Sequence, residues 1–186
     1  MRRTADGGST WSPQDSSTRN NLLALFAADT ENAWAVGENG TVLRTHDGGT
    51  TWTRQYVGDG RGLFDVCASS PDDAWAVGEA GAVLHTADGG FTWDPAHAGT
   101  AEDLFGVAAA DALNAWVVGK GGMVLRTWNA GKSWEEQPSR ASYDLHDISC
   151  VDARTAWAVG RRGTVVRTFD EGYTWYRRDA QGAGDL

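Results

Sequence analysis

Tryptophan recurs in this chain at a fixed interval. Trp11, Trp52, Trp93, Trp134 and Trp175 stand 41 residues apart, and each closes a box of one pattern. The boxes read T-A-D-G-G-S-T-W, T-H-D-G-G-T-T-W, T-A-D-G-G-F-T-W, T-W-N-A-G-K-S-W and T-F-D-E-G-Y-T-W. A second series, Trp34, Trp75, Trp116 and Trp157, keeps the same step inside A-W-[AV]-V-G, so nine of the 10 Trp are repeat positions and Trp128 alone is extra. No insertion interrupts four successive periods. A chain built this way is an array of one supersecondary unit that buries its apolar face on its neighbours.

The unit is read from the second period. Leu63–Ala68 is a first strand, followed by a turn at residues 70–73. Asp29, Ser70, Asp111 and Asp152 take the first position of that turn, and Asn32, Asp73, Asn114 and Thr155 take the fourth. These short side chains bond their own backbone and close turns. Residues 74–77 form a second strand, and a Gly-x-x-Gly reversal follows in every repeat (Gly37/Gly40, Gly78/Gly81, Gly119/Gly122, Gly160/Gly163), where glycine supplies the positive φ of a tight hairpin. Residues 83–86 form the third strand, and Thr92 and Trp93 open the fourth. Four short antiparallel strands per period, with no helical periodicity, predict an all-β, helix-free propeller of four-stranded blades. The expected units are a half-blade hairpin in 1–21 and repeats at 22–62, 63–103, 104–144 and 145–186, with the Trp residues mostly buried between blades.

Composition narrows the class. The formal net charge of −9 argues against a binder of nucleic-acid backbone. The longest apolar run, residues 22–28, is too short to span a bilayer, and Met1, Arg2 and Arg3 precede no apolar stretch, so neither membrane insertion nor a signal peptide is expected. Cys67 and Cys150 are too few for a disulfide scaffold or a four-Cys zinc site, and free thiols are expected. No cofactor fingerprint is present: there is no phosphate-cradling glycine loop and no Ser/His/Asp arrangement.

The T-x-D-x-G-x-T-W box resembles the Asp-box, or BNR repeat, of sialidases and sortilin-like receptors. The longer phrase A-W-A-V-G-x-x-G-T-V-L-R-T-x-D-G-G-x-T-W resembles the repeat of the photosystem II stability/assembly factor family and its bacterial relatives, from Arg3 to Trp175. That resemblance implies a propeller acting as a non-enzymatic assembly chaperone for a protein or peptide client. Relatives of this kind are often exported or lumenal, and similar arginines contribute in them to a basic patch that meets a client's tail.

By their own chemistry, Asp6, Asp47, Asp88, Asn129 and Asp170 read as turn acceptors rather than metal ligands, because they lie on separate blades. Arg3, Arg44, Arg126 and Arg167 share one repeat position, with His85 in the remaining copy. They predict either a basic arc for a partner or scaffold ion pairs with acidic turn residues. Asp65 and Asp147, on first strands, are expected to face a wet central channel. Glu38, Glu79, Lys120, Arg161 and Arg162 at the hairpin tips share a face with divergent loops at 55–62, 95–103, 137–144 and 177–185, the pattern of a binding surface on a constant scaffold. Trp128, Phe91, Phe169 and Tyr173 are aromatics at box positions that are small or polar elsewhere.

A sialidase-like enzyme would need an arginine cluster, a nucleophilic Tyr paired with Glu, and an acid near the axis. Arg44, Arg126 and Arg167 come from third strands, and Tyr56, Tyr143, Tyr173 and Tyr176 lie in loops or outer strands, so catalysis is not expected. A carbohydrate-binding Asp-box propeller and a repeat-amplified or engineered array with no defined ligand stand as alternatives. Four complete blades and a spare hairpin predict that a second copy closes the ring, giving a homodimer of eight blades.

Overall fold

The computed structural model describes residues 1–58 and 60–178. An N-terminal hairpin pairs β1 (Arg2–Arg3) with β2 (Ser12–Pro13). The first blade holds β3 (Leu22–Ala27), β4 (Ala33–Gly37), β5 (Thr41–Thr45) and β6 (Thr53–Gln55). The second holds β7 (Leu63–Ala68), β8 (Ala74–Gly78), β9 (Val83–Thr86) and β10 (Asp94–Pro95). The third holds β11 (Leu104–Ala109), β12 (Ala115–Gly119), β13 (Val124–Thr127) and β14 (Glu135–Glu136). The fourth holds β15 (Leu145–Cys150), β16 (Ala156–Gly160), β17 (Thr164–Thr168) and β18 (Tyr176–Arg177). Each blade is a four-stranded antiparallel sheet in sequence order, which makes the fold an all-β propeller type. Every first strand carries one register shift at the same place, for example between Leu63 and Asp65.

The A-W-[AV]-V-G strands of the second and third blades are buried on both faces, whereas Trp157 and Val159 of β16 are only partly buried, and the alternation shows why. In β8 the small residues Ala74 and Ala76 face the first blade, meeting Trp34 and Val36. The large residues Trp75 and Val77 face the third, meeting Ala115 and Val117. The third seam repeats the arrangement, with Trp116 and Val118 against Ala156 and Ala158. Large side chains of one blade thus enter the space left by alanines of the next, and interiors filled in this way reach close packing. Each hydrophobic cluster is a seam. Trp34, Trp75 and Trp116 are all 0% exposed.

Three expectations need correction. The box Trp packs backwards, edge-on to the strand Trp of the preceding blade: Trp134 against Trp75 and Trp175 against Trp116. Trp11 has no described blade before it and is 53% exposed, so it is not buried as its series predicts. The reversals of the last three blades contain single 3-10 turns, at Glu79–Gly81, Lys120–Gly122 and Arg161–Gly163, so the chain is not wholly helix-free. Nor do the fourth strands open at the box; ladder pairing begins after the Trp, at Asp94 in the second blade.

The two glycines of each reversal do different work. The second, Gly81 in the second blade, has φ +72° and follows Ala80, also left-handed at φ 49°. The first, Gly78, is extended at φ −174°, and a methyl there would overlap the carbonyl oxygen of Gly62. Gly37, Gly119 and Gly160 meet Asn21, Asp103 and Asp144 in the same way. Chain crossing, not handedness, requires the first glycine. We expect Gly78→Ala to cost about 1–3 kcal/mol or more through forced backbone displacement. Gly121→Ala, where a Cβ meets nothing within 4 Å, should cost about 1 kcal/mol for its positive φ alone. Thermal melts of the two variants check the order.

Candidate functional site

The box is a closed turn. Asp47 accepts the Thr51 N–H at 2.8 Å, the Thr51 hydroxyl at 2.7 Å and the Thr45 hydroxyl at 2.8 Å, while Thr45 Oγ1 accepts the Gly49 N–H at 2.8 Å. Asp6 and Asp88 repeat the pattern, and in Asp170 the backbone N–H of Thr174 and the Thr168 hydroxyl are the donors. Asn129 replaces the carboxylate, accepting from Ser133 N–H at 3.0 Å and donating its amide to Ser133 Oγ at 2.8 Å. The donors hold Asp6, Asp47 and Asp88 down at about 2. Both carboxylate oxygens of Asp6, Asp47 and Asp88 accept hydrogen bonds from their own turn. Among the described residues no group of three or more His, Cys, Asp and Glu is placed to hold a metal ion.

The arginine series does not form the basic arc that its spacing suggested. Arg44 and Arg126 are 3% and 4% exposed. Each guanidinium lies on the strand Trp of its own blade, Arg44 at 4.8 Å from the Trp34 ring centroid and Arg126 at 4.6 Å from Trp116. From there it crosses the seam. Arg44 Nη2 donates to the Pro71 carbonyl at 2.7 Å, and Arg126 Nη2 donates to the Ala153 carbonyl at 2.8 Å, in each case 27 residues onward. Arg126 Nη1 donates to the Glu171 carbonyl, and the Glu171 carboxylate stands 3.6 Å from it. Burial pulls both guanidinium groups below arginine's usual value. The partners are therefore chiefly main-chain carbonyls, and the groups act as staples between blades. Arg126 uses two arms of the fixed guanidinium fork in this way. His85 cannot reach across: it stacks on Trp75 at 3.8 Å and holds Asp73 of its own blade at 2.8 Å. Arg167, half-buried, lies over Phe169, and Arg3 rests against Gly48 of the first blade's box.

The first strands converge on one another, and Asp65 sits among them. Its carboxylate accepts the Val66 N–H at 2.8 Å and the Val107 N–H of the third blade at 2.9 Å. Burial raises it to about 6, and Asp147 adds a smaller repulsion. A cavity of about 360 Å³ lies here, lined in part by Asp65, Asp147, Cys67 and Cys150. Both thiols are free, and burial raises each of them.

Hairpin tips and divergent loops do share a face. Ala80 N–H reaches Asp103 at 2.9 Å, Gly121 N–H reaches Asp144 at 2.8 Å, and Lys120 pairs with Glu102 at 2.7 Å. The last part of the 177–185 loop lies outside the described residues. On the rim, Phe91 and Tyr173 are 89% and 79% exposed, and Trp128 and Phe169 are each 43% exposed. The sequence marked these aromatics through their departure from the repeat. It gave no sign that Glu135, Glu136 and Glu171 gather beside Trp128 and Tyr173, because they come from two different repeats.

Two tests follow from this geometry. Arg126→Met keeps the stem but leaves two seam carbonyls without their donors, and should lower stability by about 2–4 kcal/mol. Arg167→Met, opposite no such carbonyl among the described residues, should cost about 0.5 kcal/mol or less in denaturant titrations. The carboxylates also fix the pH profile. The box aspartates lie below 3.8 in the folded protein, so their contribution is present above 3.8 and lost as pH falls towards 2. Asp65 lies above 3.8, so its contribution is full below 3.8 and lost as pH rises through about 6. Stability should therefore decline from mildly acidic to neutral solution, and Asp65→Asn should flatten that limb while leaving the acid limb intact.

Comparison with known proteins agrees with this architecture. The family profile described as "Photosynthesis system II assembly factor YCF48" matches residues 57–143. A structure described as "YCF48 bound to D1 peptide" is 18% identical, with a TM-score of 0.59, covering 86% of this chain and 82% of its own. YCF48 from Cyanidioschyzon merolae is likewise 18% identical with a TM-score of 0.59, covering 98% of this chain and 80% of its own. A virginiamycin B lyase from Staphylococcus aureus aligns at 13% identity and a TM-score of 0.76, over 91% of this chain but 59% of its own. At such identities the structural likeness speaks for the fold alone. No curated protein sequence matches the chain. Profile, box chemistry and blade architecture agree that the chain is a BNR-repeat β-propeller protein resembling the photosystem II assembly factor YCF48.

Proposed function

We propose that the chain is a non-enzymatic scaffold that binds an extended segment of a client protein. The observation that carries this reading is the division of labour within each repeat. The residues that build seams and boxes recur almost unchanged, whereas the rim positions differ from blade to blade and include exposed large aromatics, Phe91, Trp128 and Tyr173 among them. A rigid frame presenting a varied rim is suited to recognition. The peptide held by the YCF48 structure supports the same reading by likeness. Against an enzyme of the sialidase kind, the Arg44 and Arg126 groups that would grip a substrate carboxylate are buried in separate seams and bonded to carbonyls. Of the arginine position, Arg3 and Arg167 retain surface that a partner could use.

Selection of a displayed random-peptide library on the immobilised protein tests this. We expect a recurring consensus whose binding persists in box variants that stay folded, such as Asn129→Asp. Absence of any enriched peptide, or turnover of a glycoside substrate by the purified chain, would overturn it.

A further inference from the structure

The rim of the seam between the third and fourth blades differs from the others in several positions at once. Trp128 stands where the other repeats have Ala5, His46, Ala87 and Phe169, and Tyr173 where they have Ser9, Thr50, Phe91 and Lys132. Glu171 replaces Gly7, Gly48, Gly89 and Ala130, and holds the left-handed backbone at φ 66° that a glycine adopts without strain. Glu135 and Glu136 together form β14, and no other repeat has two carboxylates there. These residues, with Gln137, line one cavity of about 610 Å³.

Its walls are two exposed aromatics, and its charge is set by three carboxylates against one guanidinium. Arg126, which also lines the cavity, is committed to the Ala153 and Glu171 carbonyls, and its guanidinium lies over the Trp128 ring, 5.8 Å from the centroid. Glu135 and Glu136 take part in no ion pair among the described residues. One side of the cavity is β14, the outermost strand of its sheet, whose outer edge pairs with no further strand in that sheet. Aromatic faces attract cations, carboxylates add directional acceptors, and a free strand edge offers main-chain hydrogen bonds to an extended chain.

We propose that this cavity receives a lysine or arginine side chain of a basic peptide lying extended along β14, with the cationic group between Trp128 and Tyr173 and facing Glu135, Glu136 and Glu171. The proposal deepens the client-binding reading and rests on it. Charge complementarity selects this occupant over an acidic or neutral peptide, because any ligand there meets an excess of negative charge in a protein of net charge −9.

The test uses blocked alanine peptides carrying a single central Arg, Gln or Glu, titrated into the full chain. The Trp128 indole N–H resonance is followed by NMR, assigned through Trp128→Phe. The Arg peptide should shift that resonance saturably, while the Gln and Glu peptides should not. The double variant Glu135→Gln/Glu136→Gln, which keeps size and fold, should weaken binding roughly tenfold, and added salt should weaken it further. Trp128→Ala should abolish the effect as read on the neighbouring Tyr173 ring resonances. Equal binding of the Gln peptide, an unchanged affinity in the double variant, or no shift of Trp128 at millimolar peptide would overturn the proposal. If library selection still yields a consensus whose binding ignores Trp128→Ala, this cavity is not the site although the chain binds peptides; if selection yields nothing, the broader reading fails as well.

Discussion

Every blade has a thin face and a thick face, and the stack depends on that asymmetry. Along A-W-A-V the period of two places alanines on one side of the sheet and Trp and Val on the other. Trp75 and Val77 can lie against Ala115 because alanine leaves the room that a larger residue would take. The same rule leaves no room for a side chain on the box glycines behind them: a Cβ on Gly131 or Gly172 would collide with Trp75 or Trp116. The repeat length, the box and its last glycine all serve one contact, the indole of one blade seated in the next.

The polar chemistry follows from the same contact. A guanidinium stacked on a buried indole is dry, and it is stable there only if its donors find acceptors. The turn and box of the next blade supply carbonyls at fixed offsets, so Arg44 donates to one and Arg126 to two, without a carboxylate partner at hydrogen-bond distance. This removes the most conspicuous cations from the surface. What remains for recognition is the periphery, where β14 and the fourth box carry acidic and aromatic residues.

Much of this was legible in the sequence. The fixed period set the blade count, and the spans of the first three strands of the second repeat follow directly from its apolar pattern. The box chemistry was legible too, because Thr, Asp and Thr at fixed spacing can satisfy one another locally. The fate of the arginines was not, since their acceptors are carbonyls, and a carbonyl leaves no mark in the residue type at Pro71 or Ala153. The first glycine of each reversal was misread for a related reason. Glycine signals positive φ and close approach equally, and only the position of the Gly62 carbonyl separates the two. Exposure of Trp11 depends on what lies beside it, which a repeat pattern does not encode.

The seam between the second and third blades is fastened differently from its neighbours. Where the others carry a guanidinium across the rim, His85 turns back to Asp73 of its own blade. Where the others have Ala24 or Gly106 on the converging strands, Asp65 reaches over to the Val107 amide. The clasp has moved from the circumference to the hub. The polar tie across this joint thus hangs on a single carboxyl group, whose charge its burial opposes.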